Sequence, residues 1–177
     1  DVSYDINRNH NLDMIQRAKA QRLLSVLQIS ALENIPMSHT KQGDMKQRDV
    51  KKVRNALKNL RSQPLKGIGP KNILITCRKD KWKDQNDQPK GAFAYESKLT
   101  KANWITKTSK GTNEYRHCTH AVYLSELNLS PNIIAYLGVD KQFEKGWAVS
   151  ELIQWLYRTA LRDSGKVELH LASSHMK

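Results

Sequence analysis

Cysteine is scarce in this chain: two among 177 residues, Cys77 and Cys118. Two cysteines make no disulfide framework, which fits a reducing interior. No run approaches the roughly 18 apolar residues of a membrane span. The start, Asp1-Val2-Ser3-Tyr4, lacks the apolar region of a secretory signal. A cytoplasmic setting is therefore expected. No Gly-x-x-x-x-Gly-Lys-Ser/Thr phosphate loop occurs, nor an Asp-Glu-x-His or similar magnesium-holding motif. Nothing supports a Ser/His/Asp or paired-carboxylate arrangement. His117-Cys118-Thr119-His120 has no partner at zinc spacing, so no metal is assigned. The first residue is not methionine, and Ser174-His175-Met176-Lys177 carries no terminal turn or cap. A piece of a longer chain is the expectation.

Acidic residues are also short. Lys plus Arg number 30 against 17 for Asp plus Glu, a formal net charge of +13. Such a chain is drawn to polyanions, nucleic acid first and an anionic membrane face second. The bias is concentrated between Lys41 and Lys66, where nine Lys or Arg face only Asp44 and Asp49. Lys46, Lys51, Lys52, Arg54 and Lys58 are the candidate phosphate contacts there, against the plainer reading of a solvated helix face. Trp82 lies in Arg78-Lys79-Asp80-Lys81-Trp82-Lys83, where an aromatic among cations can stack on a base or cover an apolar edge.

Periodicity predicts a helix from Leu12 to about Asn34, with Ala20, Leu23, Leu24, Leu27 and Ala31 on one face. A second helix is expected over about Asp44 to Ser62, its apolar stripe Val50, Val53, Leu57 and Leu60. After the Gly67-Ile68-Gly69-Pro70 turn the texture changes. Strands are expected at Asn72–Cys77, Asn103–Thr106, Ala121–Leu124 and Val167–Leu171, and a helix over about Ala148–Asp163 with Gly165 at its C-terminal cap. Strands alternating with helices predict an α/β fold, a mostly parallel sheet flanked by helices. Residues 1–66 are read as a basic helical arm and 67–177 as the α/β domain.

Two segments carry candidate chemistry. Gln154, Arg158 and Arg162 fall at i, i+4 and i+8, so one helix face would present an amide and two guanidinium groups. A planar guanidinium suits phosphate because it offers paired, permanently charged donors. Thr106-Lys107-Thr108-Ser109-Lys110-Gly111-Thr112-Asn113 follows a predicted strand, and open α/β sheets bind ligands at that edge. A solvated helix and an ordinary polar turn are the plain alternatives.

The tract from Trp104 to Leu124, with Gly-Thr-Asn-Glu-Tyr-Arg at its centre, resembles motif V of superfamily 2 helicase-like ATPases. Ala148 to Asp163, with Leu-Ile-Gln-Trp-Leu-Tyr-Arg, resembles their motif VI, the arginine-finger helix. Ile73–Cys77 falls where motif IV and the first strand of the second RecA-like domain belong. The likeness is to the phage and mobile-element type and covers roughly Ile73 to Leu171. The pattern departs at Tyr157, where a Gly is usual, at Arg162, four rather than three residues beyond Arg158, and at Asn113 or Glu114, where an Asp commonly closes motif V.

The resemblance implies that residues 67–177 form a RecA-like C-terminal motor domain. Arg158 would be the finger toward the γ-phosphate, with Gln154 supporting and Arg162 second. Ser109, Lys110, Gly111, Thr112 and Asn113 would belong to the nucleic-acid track. It implies ATP and Mg2+ for the complete motor, with none bound by this chain alone. The partners would be nucleic acid, DNA before RNA, and a first RecA-like domain in the same or another chain, with no membrane. The expected function is the C-terminal portion of a nucleic-acid-dependent ATPase or helicase. The alternative is a stand-alone basic nucleic-acid-binding or partner-docking module without ATPase activity.

Overall fold

A computed structural model describes residues 21–109 and 112–172. Five strands form one parallel sheet in the order β1-β5-β4-β2-β3: β1 Leu24–Gln28, β2 Ile73–Thr76, β3 Asn103–Trp104, β4 His120–Tyr123 and β5 Val167–Leu171. Parallel strands need crossover segments, and these put helices on both faces. The α/β reading therefore holds. β2 is buried at every position, as a central strand of a two-faced sheet must be.

Alternation along the strands sorts the core into two layers. Ile73 and Ile75 of β2, with Val122 of β4, pack under helix α2, Gln47–Ser62, through Val50, Val53, Ala56, Leu57 and Leu60. The apolar stripe read from the sequence is thus the buried face of that helix. On the opposite face Leu74, Ala121, Tyr123, Leu169 and Leu171 pack under a long helix through Leu152, Trp155 and Leu156. Tyr123 and Trp155 meet edge to face, with ring centroids 5.2 Å apart.

Three expectations need correction. The helix expected over residues 12–34 is, in its described part, strand β1, paired residue by residue with β5 from Leu24↔Val167 to Gln28↔Leu171; Ala20 lies outside the described residues. The stretch read as part of a helical arm therefore supplies an edge strand and a core-covering helix. Next, the helix expected over Ala148–Asp163 runs instead over Lys141–Leu156. Thr159 breaks it with extended backbone: its hydroxyl donates to Leu156 O at 2.6 Å and accepts from Leu161 N at 3.4 Å, opening a separate 3-10 turn, Ala160–Asp163. The left-handed residue after that turn is Ser164, not Gly165. Gly165 packs so closely that a Cβ there would meet the Ala160 Cβ at 2.8 Å.

The third correction is Trp82, which is 1% exposed. The short helix α3, Lys79–Trp82, turns its indole into the α2-side core, while Lys79 is exposed and the half-buried Lys81 donates from Nζ to Gly43 O at 3.2 Å. The loop beyond returns onto this turn: Gly91 N–H donates to Trp82 O at 2.9 Å, where any Cβ would strike backbone at 2.6 Å. Trp82 is thus a core residue and offers no base a stacking face. The remaining helices are α1 His39–Gly43, α4 Pro131–Leu137 and α5, the Lys141–Leu156 helix.

Candidate functional site

From β2 the chain moves to β3 at one edge of the sheet; from β4 it moves to β5 on the other side. The connections therefore diverge between the neighbouring strands β2 and β4. In open parallel sheets a crevice forms at the carboxyl ends of such a pair. Here a recess of about 220 Å³ lies there. Its walls are His39 and Gln42 of α1, Cys77, Arg78 and Lys79 after β2, Thr106, Lys107 and Thr108 after β3, and Ser125 after β4. Three of these residues are cations and none is a carboxylate.

Gln42 holds this edge together and is 1% exposed. Its Nε2 donates to Met37 O at 2.8 Å and to Leu124 O at 2.6 Å, and its Oε1 accepts from Arg78 N at 3.0 Å. One amide thereby ties the carboxyl ends of β2 and β4 to α1. Arg78 is positioned in turn: Nε donates to Asp80 Oδ1 at 2.6 Å and Nη1 to His39 O at 3.1 Å. Its guanidinium lies so close to Gly43 that a Cβ there would sit 2.4 Å from Nη1.

Lys107 is partly buried, and burial pushes its ammonium below the ordinary lysine value while Glu151 of α5 works against that shift. Thr106 and Thr108 hydroxyl oxygens are 3.3 Å apart. At the base of the recess the Cys77 thiol is raised far above its usual value by burial, with a smaller opposing contribution from Trp104. It is a packed neutral group and not a nucleophile. Beside this edge, on the α5 face, Thr76 and Tyr123 are register partners whose buried hydroxyls have no hydrogen-bond partner among the described residues.

The residues singled out in the sequence are not brought into one place. Gln154 is exposed on α5, whereas Arg158, beyond the end of that helix, is 8% exposed. Its Nη1 donates to Gln154 O at 3.2 Å, and Glu151 and Tyr123 are its electrostatic neighbours. Burial lowers its guanidinium from the ordinary value, with Glu151 opposing. Arg158 therefore does not project outward as a helix-face residue would, because the helix has already ended at Leu156. Arg162 lies in the 3-10 turn and donates to Asn113 Oδ1. That turn and the start of β4 are joined by Ala160 N donating to Cys118 O at 3.0 Å, so Arg162 and Asn113 sit toward the amino ends of β4 and β5, away from the recess. Arg116 and Asp163 form a two-pronged ion pair in the same region.

Of the β3–β4 loop, Ser109 belongs to the carboxyl-edge turn, its N–H donating to Thr106 O at 3.2 Å. Thr112 caps its own turn, accepting from Glu114 N. Lys110 and Gly111 lie outside the described residues. On α2, Lys51, Lys52 and Lys58 are exposed, as is Lys46 at its start. Arg54 is committed to the protein: Nε donates to Ala92 O at 3.2 Å, its guanidinium lies 5.3 Å from the Tyr95 ring centroid, and Nη1 is 3.8 Å from Glu96 Oε2.

Sequence reasoning singled out the segment that holds Thr106, Lys107 and Thr108 but missed Gln42 and Arg78 as site residues. Lys107 and Arg78 each follow a predicted strand directly, and that placement was the available signal. No group of three or more metal-ligating side chains occurs among the described residues. With no carboxylate in its walls, the recess is unsuited to Mg2+, whereas its cations and hydroxyls suit a phosphate.

Residues 8–177 match the family described as the YonV C-terminal Rossmann-like domain. The chain belongs to that family. It is similar to the SPbeta prophage-derived uncharacterized protein YonV of Bacillus subtilis (strain 168), 35% identical over 71 residues. That stretch is 38% of this chain and 17% of YonV, so the chain spans well under two thirds of its relative. No solved structure matches the chain. The YonV family description and the parallel sheet agree on a Rossmann-like α/β domain of a phage-type protein. No helix among the described residues is long and apolar enough to cross a membrane.

Proposed function

We propose that this YonV-type domain binds nucleic acid through its phosphates, DNA in preference to RNA, as the C-terminal part of a nucleic-acid-dependent ATPase or helicase. One observation carries the reading: a carboxylate-free recess with three cations stands at the β2–β4 divergence, on a chain of net charge +13. The exposed lysines of α2 are further cations available to phosphates. The likeness of the Trp104–Leu124 and Ala148–Asp163 tracts to motifs V and VI supports the motor half of the proposal. On that reading ATP and Mg2+ are held mainly by a first RecA-like domain, and Arg158 must leave the neighbourhood of Glu151 to reach a γ-phosphate.

The burial of Arg158 and the distance of Arg162 from the recess favour a second version, a binding module without ATPase chemistry. Two measurements test the reading. A single-stranded DNA oligonucleotide titrated against the purified chain should give log K falling with log salt at a slope of roughly −3 to −5, the signature of about four to six neutralised phosphates. An affinity indifferent to salt overturns the binding claim. In the complete motor, Arg158→Ala should reduce ATP turnover about 10³-fold if the residue acts as a finger. Full turnover together with a lowered melting temperature in that variant leaves the binding module alone standing.

A further inference from the structure

The recess has the charge and shape to discriminate among phosphates. Arg78, Lys79 and Lys107 are the cations of its walls, Arg78 paired at 2.6 Å with Asp80 and Lys79 with Asp87 outside the recess, and Thr106 and Thr108 add hydroxyls. An internal phosphodiester carries one negative charge, whereas a phosphate monoester carries nearly two at neutral pH and has three terminal oxygens. The base of the recess is closed by Cys77 and Gln42, 4% and 1% exposed. Helix α1, the β2–α3 turn and the β3 loop stand around it. A diester needs an exit for the chain on both sides, and a chain end or a free nucleotide needs one.

The two main donors are prepared in different ways. Arg78 is pinned through Nε and Nη1, which fixes the plane of its guanidinium before any ligand arrives. Such fixed, planar donors match the oxygens of a phosphate. Lys107 is partly desolvated and makes no ion pair among the described residues, Glu151 acting on it only as a neighbouring charge. An anion arriving beside it meets an ammonium that burial has already stripped of part of its water. Lys79, paired at 3.1 Å with the exposed Asp87, is a rim charge.

We propose that the recess at the carboxyl ends of β2, β3 and β4 is a site for a phosphate monoester, the terminal phosphate of a nucleic-acid end or of a free nucleotide. Arg78 and Lys107 are its principal ligands, and Thr106 and Thr108 complete it. The proposal rests on the reading that this edge binds phosphate groups, and it adds selectivity for an end over an internal linkage.

The experiment compares one single-stranded DNA oligonucleotide carrying a 5′-phosphate, a 3′-phosphate or neither, at fixed salt, with AMP and inorganic phosphate as further titrants. The expected result is about tenfold tighter binding of one phosphorylated end over the unphosphorylated strand, a preference that AMP competes away. In Lys107→Gln and in Arg78→Gln the ratio should collapse toward one, and Lys107→Arg should keep most of it. Melting curves of each variant establish that it is folded. Saturable AMP binding that Lys107→Gln abolishes, without an end preference in DNA, supports the site and assigns it to free nucleotides. Equal affinity for all three strands with no AMP binding overturns the proposal. So does an end preference that survives in both Gln variants. Salt-dependent binding of the unphosphorylated strand is the separate readout of the broader function, so either claim can fail alone.

Discussion

Gln42 makes three hydrogen bonds from a position with almost no exposed surface, and all three go to main-chain groups of other segments. A buried amide in this role is worth more than the sum of exposed bonds, because each partner it leaves behind is also buried. Gln42→Ala should therefore cost about 2–4 kcal/mol, a melting temperature lower by roughly 5–15 °C. Gln42→Glu should fare no better, since a carboxylate cannot donate to Met37 O and Leu124 O. Substituting the exposed Gln63 by alanine should shift stability within about 0.5 kcal/mol. A Gln42→Ala protein that melts like the parent would show that the strand ends are held by packing alone. Nothing in the sequence marks Gln42: it lies in a short polar stretch without periodicity, and its partners are set by the fold. Arg158 is the opposite case, conspicuous in sequence by its spacing and buried because the helix that would have displayed it stops short at Thr159.

Helix α2 divides its cations between structure and surface. Arg54 bonds Ala92 O and stacks against Tyr95, whereas Lys51 and Lys58, seven positions apart on one face, are exposed. Replacing both lysines by glutamate should weaken DNA binding, reduce the salt slope by roughly 2 and leave the melting temperature nearly unchanged. Arg54→Ala should instead lower stability by about 1 kcal/mol and leave the slope near the parental one. A double-lysine variant with an unaltered salt slope would remove α2 from the nucleic-acid surface. Elements of this kind were legible because their signal is local: the 3.6-residue stripe of α2 and the alternation in Val167–Leu171 need no distant partner. β1 was not, because Leu23, Leu24 and Leu27 satisfy a helical spacing equally well. What decides the matter is pairing with β5, more than 140 residues further along, which no local window contains. Trp82 leaves two readings open in sequence, base stacking and apolar cover, for a related reason, and burial selects the second. Its charged neighbours dominate the local composition, while one turn of helix points the indole the other way.

At the scale of the whole molecule, two histidines and a glutamate meet where β4 pairs with β5. His120 pairs in register with Glu168, and His170 follows two residues on, 2% exposed. His170 Nε2 is 2.9 Å from Glu168 Oε1, and among the described residues it has no well-aligned hydrogen bond. Burial is the largest influence on both imidazoles and pushes both below the ordinary value of 6.5; Glu168 opposes it at each, and His120 adds to it at His170. Depressed folded values mean that the unfolded chain binds more protons between those values and 6.5. The stabilisation is complete above that pH and is lost as pH falls through the window below it. The paired carboxylates Asp87 and Asp163 are also shifted down, but from 3.8, so they act at more acid pH. The melting temperature should thus fall by about a few degrees between pH 7.5 and pH 5.0. His170→Gln, which cannot take up a proton, should flatten that decline while costing some stability at pH 7.5. A melting temperature that stays level or rises toward pH 5.0 would mean that Glu168 outweighs burial at this junction, and that the histidines are charged partners in the sheet instead of neutral packing groups.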